Sequence, residues 1–96
     1  MEITTFRLAP GVTMKEFIAA NADVDDWLKR QPGFILRRLT QRKDGLVTDM
    51  LLWTSVAKGE RAARGITTEL AGSPVHAAID HSTVDWSVDM CRHCMG

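Results

Sequence analysis

Apolar residues recur along this chain at helical spacing in some segments and at extended spacing in others. Between Thr13 and Arg30 they repeat every three to four residues, which predicts an amphipathic helix. Thr13 and Glu16 match the capping box that begins such a helix, and a Pro-Gly pair ends it. The helix follows a short first strand, predicted from Ile3 to Leu8.

The segment from Gln31 to Trp53 has the pattern of a β-hairpin. Two stretches rich in large apolar residues, Phe34 to Leu39 and Leu46 to Trp53, flank the sequence Lys43-Asp44-Gly45. An Asp-Gly pair tolerates the positive φ angles that a tight turn needs. We therefore predict two antiparallel strands joined by this turn.

The part of the chain after Trp53 predicts two helices and a last strand. Thr54 or Ser55 caps a helix whose apolar stripe consists mostly of small residues, and Ser73-Pro74 begins a short third helix. From Thr83 to Met90 apolar and polar residues alternate strictly, which is typical of a strand with one buried face.

The predicted order of elements, β-α-β-β-α-(α)-β, indicates an α+β, ferredoxin-like fold in which helices cover one face of an antiparallel sheet. The other face would stay uncovered in a monomer. Because exposed apolar surface costs roughly 25 cal/mol per Å², we expect a homodimer that forms through the sheet faces. We interpret residues 1–96 as one domain and residues 91–96 as a flexible tail.

Composition and charge exclude several classes of partner. The 12 basic residues equal the 12 acidic ones in number and are scattered, so neither nucleic acid nor an anionic membrane is an expected partner. No apolar run approaches the roughly 18 residues of a membrane span. The N-terminus has no signal-peptide pattern, and we predict a cytoplasmic protein.

Five features together resemble the dimeric α/β-barrel superfamily, and within it the antibiotic biosynthesis monooxygenase-like proteins. They are a helix ending in Gln31-Pro32-Gly33-Phe34, a hairpin through Asp44-Gly45, Asp49 before Trp53, Thr54-Ser55 opening an alanine-rich helix, and a short helix bearing His76. The resemblance runs from about Phe6 to Met90. It implies a homodimer whose two sheets face each other, with a small-molecule cleft between each sheet and its own helices. It does not imply one reaction, because the superfamily includes cofactor-independent oxygenases, haem-degrading enzymes, isomerases and proteins with no known activity.

A cofactor-independent oxygenase needs an apolar pocket, a base and a group that holds developing negative charge. We take His76 as the candidate catalytic base, because histidine titrates near neutral pH and the resemblance implies that its helix shapes the cleft. The alternative for His76 is a surface or helix-capping role. We interpret His81 as a turn residue. Arg37 or Arg38 could hold an anion, and no cofactor is expected. The candidate ligand-binding residues are Trp27, Phe34, Arg38, Trp53 and Trp86.

The alternative function is a non-catalytic dimeric module, structural or ligand-binding, whose polar residues are structural. Trp53 and Phe34 would then be core residues, since aromatic side chains dominate core burial. Arg37 or Arg38 would form an ion pair with Asp49 across two adjacent strands or at the dimer interface. The sequence leaves both functions open.

Haem binding and zinc binding are the remaining alternatives. The haem-degrading members carry an asparagine on the first strand and a tryptophan in the second helix, where this chain has Thr4 and Thr5, and Ala62 and Ala63. Cys91-Arg92-His93-Cys94 offers two thiolates and one histidine, whereas structural zinc takes four ligands. We expect free thiols in this tail, with an intersubunit zinc site or disulfide as the alternative, and assign no metal ligand.

Overall fold

A computed structural model describes residues 1–95 of the chain. The predicted order of elements is confirmed. The elements are β1 (Glu2–Leu8), α1 (Met14–Ala20), α2 (Ala22–Lys29), β2 (Phe34–Gln41), β3 (Val47–Trp53), α3 (Val56–Thr68), a 3-10 helix (Pro74–Ala78) and β4 (Ile79–Val88).

The four strands form one antiparallel sheet in the order β2-β3-β1-β4. Side chains alternate between its faces, so that Phe6 of β1 and Val47 of β3 pair on the covered face and are both buried. We call the opposite face the open face. Its apolar side chains are only half-buried, and they are Ile3, Leu36, Met50 and Leu52. This arrangement is the predicted α+β, ferredoxin-like fold.

The helix predicted from Thr13 to Arg30 is broken at Asn21, where this prediction is wrong. Asn21 has backbone angles of φ −92° and ψ 4°, and it ends α1 and precedes α2. Its side-chain Nδ2 donates to the carbonyl of Phe17 at 2.8 Å, an interaction that competes with regular helix geometry. The capping box is confirmed, because Thr13 accepts from the amide of Glu16 and the Glu16 side chain accepts from the amide of Thr13.

The last strand begins at Ile79, earlier than the predicted Thr83. The register between β1 and β4 shifts between Thr5 and Arg7, and the amide of Arg7 donates to the hydroxyl of Thr83 at 2.8 Å. Such a bulge interrupts the strict alternation on which the prediction depended. His81 consequently lies within β4 and not in a turn.

The turn predicted within the hairpin and the cap predicted for α3 are both found. Gly45 has a φ of 94° and donates its amide to the carbonyl of Arg42 at 2.9 Å. Of the two candidate caps for α3, Ser55 is the one whose side chain accepts from the amide of Lys58.

Helix α3 lies very close to the sheet and to α2, and two of its glycines make this possible. A Cβ atom at Gly59 would lie 2.9 Å from Cδ1 of Trp53, and one at Gly65 would lie 2.6 Å from Cζ2 of Trp27. Both tryptophans are buried in the core. A side chain at either glycine would therefore press on an aromatic ring.

The C-terminal segment differs from its prediction in one respect. Cys91 and Cys94 form a disulfide, where we expected free thiols, and their Cα atoms are 6.7 Å apart, which is within the range that a disulfide spans. Residues 91–95 contain no helix or strand, and Gly96 lies outside the described residues.

Among residues 1–95 no three His, Cys, Asp or Glu side chains are grouped to hold a metal ion. No helix in that range is long and apolar enough to cross a bilayer. The cytoplasmic location stays a prediction.

Candidate ligand-binding cleft

A cleft of about 460 Å³ lies between the covered face of the sheet and the helices. Its volume is typical of sites that bind small molecules. Most of the lining is apolar and comes from all four segments that surround it, the sheet, the paired helices α1 and α2, α3 and the 3-10 helix. The apolar lining residues are Phe6, Phe17, Val24, Leu51, Ala63, Ile66, Val75, Ile79, Val84 and Trp86.

A buried carboxylate lies at the end of the cleft where β1 begins. Glu2 is only 3% exposed, and each of its oxygens accepts a hydrogen bond from a tryptophan. Nε1 of Trp53 donates to Oε1 at 2.9 Å, and Nε1 of Trp86 donates to Oε2 at 2.6 Å. Burial raises the pKa of Glu2 above its ordinary value; the two indole bonds oppose the rise, and the charge of Asp49 adds to it.

An ion pair lies beside this carboxylate, between β2 and β3. Arg37 donates through Nε and Nη2 to the two oxygens of Asp49, at 3.0 and 2.7 Å, and through Nη1 to Asp25 at 2.9 Å. Burial by itself would lower the pKa of Arg37, but the bonds and charges of the two aspartates outweigh it and leave the pKa raised. The predicted cross-strand ion pair is thus found for Arg37.

Two histidines lie at the opposite end of the cleft, where Leu8 pairs with Ile79. Nε2 of His76 bonds the carbonyl of Leu70 at 2.9 Å, and Nε2 of His81 bonds the carbonyl of His76 at 2.7 Å. Because a carbonyl oxygen can only accept, each Nε2 carries the proton. In the neutral rings each Nδ1 is therefore left with a free lone pair.

Asn21 contributes a polar atom where α1 meets α2, beside the apolar side chains of Phe17 and Val24; on α3 the cleft is also lined by the polar residues Glu60, Arg64 and Thr67. Its side chain is 1% exposed, and Oδ1 has no hydrogen-bond partner among the described residues. Leaving a buried acceptor unpaired costs about 1–3 kcal/mol.

The structure brings His76 and Trp86 to the cleft and places the other predicted ligand-binding residues elsewhere. Trp27 and Trp53 are buried in the core, and Phe34 packs edge-on against Trp53 with ring centres 5.6 Å apart. Arg38 is exposed and donates to the carbonyl of the preceding residue. Phe34 and Arg38 line a separate depression of about 340 Å³.

Sequence reasoning missed several polar cleft residues, among them Glu2, Asn21 and His81. Starting the first strand at Ile3 left out Glu2, although Glu2 shares a face with Phe6 by strand alternation. Asn21 had a clearer signal. It lies four residues after Phe17 and three before Val24, so it is a polar residue inside the apolar stripe.

No protein-family model matches the chain, and no curated protein matches it. Solved structures do match. SnoaB from Streptomyces nogalater, a cofactor-independent oxygenase, superposes with a TM-score of 0.73 at 19% identity, over 98% of this chain and 93% of that one.

Two further structures match at similar identity. A Chloroflexus aurantiacus protein provisionally named an antibiotic biosynthesis monooxygenase has a TM-score of 0.59 at 18% identity, over 99% of this chain and 96% of that one. PA3566 from Pseudomonas aeruginosa has a TM-score of 0.56 at 20% identity, over 94% and 92%. Likeness at this identity concerns the fold, and the chain therefore has the ferredoxin-like fold that is shared by SnoaB and the antibiotic biosynthesis monooxygenase-like structures.

Proposed function

We propose that this protein is a cofactor-independent monooxygenase that oxidises a small aromatic compound in the cleft. One observation carries the proposal: a mostly apolar cleft holds, at one end, two histidines whose Nε2 protons are bound to carbonyls. An apolar lining suits an aromatic substrate, and a neutral imidazole nitrogen is a base near neutral pH. The fold shared with SnoaB supports the same reaction class.

The reaction that fits these groups begins with an acidic C–H bond next to an aromatic ring. Nδ1 of His76 takes the proton and leaves a carbanion, which gives one electron to O₂. The resulting radical and superoxide combine to form a C–O bond, and the peroxide anion takes the proton back from His76 to become a hydroperoxide. Loss of water then leaves a carbonyl group, so that CH₂ and O₂ become C=O and H₂O. Oxygen is the oxidant and the substrate is the reductant.

Oxygen uptake with anthrone, a flat compound with an acidic methylene group, tests the proposal. We expect one O₂ consumed per quinone formed, and we expect His76→Ala to lower kcat/KM by about 10²- to 10⁴-fold, as for loss of a general base. His93→Ala is the matched control, because His93 lies in the exposed tail. We expect this substitution to leave the rate unchanged.

Three results would contradict the proposal or the role of His76 in it. A rate equal to that of buffer with anthrone and with other activated methylene compounds would exclude the monooxygenase. Binding of these compounds without oxygen uptake would favour the alternative, a non-catalytic ligand-binding module. Full activity of His76→Ala would remove His76 from the mechanism.

We propose in addition that the open face is the interface of a homodimer. Four half-buried apolar side chains share this face, and burying them against a second copy would remove their surface from water.

A further inference from the structure

Trp86 combines an exposed ring with an indole N–H that is held by a hydrogen bond. Its side chain is 45% exposed and lines the cleft, yet its indole N–H is fixed by a 2.6 Å hydrogen bond to Oε2 of Glu2. A bond to a carboxylate is shorter and stronger than one between neutral groups. The exposed ring is thus held in one orientation before any ligand binds.

The group that holds Trp86 is itself firmly fixed. Glu2 lies on β1, one of the two inner strands of the sheet, and its second oxygen accepts from Trp53 on the other inner strand, β3, at 2.9 Å. Trp53 is buried between Phe34 and helix α3, where the backbone at Gly59 approaches its ring. A shift of Glu2 would therefore disturb the core.

A rigid, half-exposed indole in an apolar cleft is suited to one class of ligand. Aromatic rings stack on an indole in offset or edge-on geometry and gain energy beyond the area they bury. Fixing the ring beforehand lowers the entropy that binding would otherwise cost. A saturated ligand of the same size gains from burial alone.

We infer that Glu2 is a positioning residue that holds the Trp86 ring as a stacking platform for a planar aromatic ligand. The inference deepens the proposed function, on which it rests for the ligand class, and it adds a source of specificity: the platform selects flat unsaturated rings over saturated ones. Glu2 acts through Trp86 and need not touch the reacting atoms.

Two probes that differ in planarity test this selectivity, 2-naphthol and decahydro-2-naphthol, with Kd measured by NMR titration of the whole chain. We expect the wild-type protein to bind 2-naphthol more tightly. Glu2→Gln offers one oxygen where two indoles require acceptors, so we expect it to weaken 2-naphthol binding by about 3- to 10-fold and to leave decahydro-2-naphthol unchanged. Trp86→Leu should produce the same loss.

Glu69→Gln is the matched control, because Glu69 accepts the indole N–H of Trp27 at 2.8 Å and does not line the cleft. We expect it to alter neither affinity. The indole ¹⁵N–¹H resonances supply an independent reading: Glu2→Gln should move those of Trp53 and Trp86 and leave that of Trp27 in place.

Several outcomes would overturn the inference. One is a Glu2→Gln protein whose Trp86 resonance has moved while its affinity for 2-naphthol is unchanged. Another is an equal loss of affinity for both probes, which a purely structural role would produce, and a third is a wild-type protein that prefers neither probe. Should Glu2→Gln not fold, Trp86→Phe takes its place, because phenylalanine keeps an aromatic ring but lacks the N–H that Glu2 holds; affinity for 2-naphthol equal to that of the wild type would then overturn the inference. The titrations need no turnover, so failure of the oxygen-uptake assay would reject the monooxygenase and leave the platform standing.

Discussion

Glu2 and Asp49 are two buried carboxylates on neighbouring strands, and their surroundings differ. Asp49 receives two hydrogen bonds from the Arg37 cation, whereas both partners of Glu2 are neutral indole N–H groups. A buried charge is strongly destabilising unless an opposite charge compensates it. The two carboxylates should therefore respond differently to protonation and to substitution.

The raised pKa of Glu2 predicts how stability depends on pH. The folded protein keeps the Glu2 proton at a pH where the unfolded chain has lost it, so this contribution is fully present below the ordinary pKa of 4.5 and is lost as pH rises through the folded pKa. The charged groups that act on Glu2 are Asp49 and the N-terminal amine. We expect the free energy of unfolding of the wild type, minus that of Glu2→Gln, to increase as pH falls from 7 toward 4.5. Urea denaturation at several pH values measures this difference, and a constant difference would contradict it.

The pair of Arg37 and Asp49 predicts a large effect from a single substitution. Arg37→Met leaves Asp49 buried without a cation, and we expect the free energy of unfolding to fall by about 3–5 kcal/mol. The double variant Arg37→Met with Asp49→Leu should recover most of it. Arg61→Met is the control, because Arg61 is exposed on α3, away from the open face, and should change stability by no more than about 0.5 kcal/mol. A loss below about 1 kcal/mol for Arg37→Met would show that the pair is not isolated from water.

At the level of elements, helix α3 lies so close to the Trp27 ring of α2 that position 65 requires glycine. Replacing an interior glycine by alanine ordinarily stabilises a helix by about 1 kcal/mol. At Gly65, however, a Cβ would lie 2.6 and 2.7 Å from atoms of the Trp27 ring, and overpacking of this kind costs about 1–3 kcal/mol. We expect Gly65→Ala to lower the Tm, while Gly72→Ala, where a Cβ meets nothing within 4 Å, leaves it unchanged. Equal Tm values for both variants and the wild type would mean that α3 moves away at little cost.

Periodicity predicted the elements well because it reports which side of an element is buried. Together with the turn and capping residues it predicted the hairpin, the start of the first helix and the order of elements along the chain. It failed at Asn21, where a side chain interrupts the helical repeat, and in β4, where a bulge lies between Asp80 and Asp85. The cleft was harder to predict. Trp53 and Trp86 both lie at inward positions of a strand, but Trp53 is covered by α3 and Trp86 is on an edge strand. That difference depends on packing between distant elements and leaves no local pattern.

For the whole molecule, the open face sets the expected state of assembly. We predict that the wild-type protein sediments with twice the mass of the single chain and that Met50→Glu, which places a charge at the centre of this face, sediments as a monomer. Ile18→Glu is the matched control, since Ile18 is exposed on α1 and lies away from the sheet. A wild-type monomer at tens of micromolar, measured by analytical ultracentrifugation, would contradict the proposed interface.

The bond between Glu2 and Trp86 joins residues that are 84 positions apart in the chain. Contacts between residues so far apart in the chain cost entropy to form and tend to slow folding. Because Trp86 on β4 lines the cleft, a chain whose last strand has not docked has no complete cleft. Undocking of that strand and loss of the ligand would then be a single event. A bound ligand would stabilise the fully folded chain by RT ln(1 + [L]/Kd), and hydrogen exchange along β4 through this undocking would slow by the factor 1 + [L]/Kd.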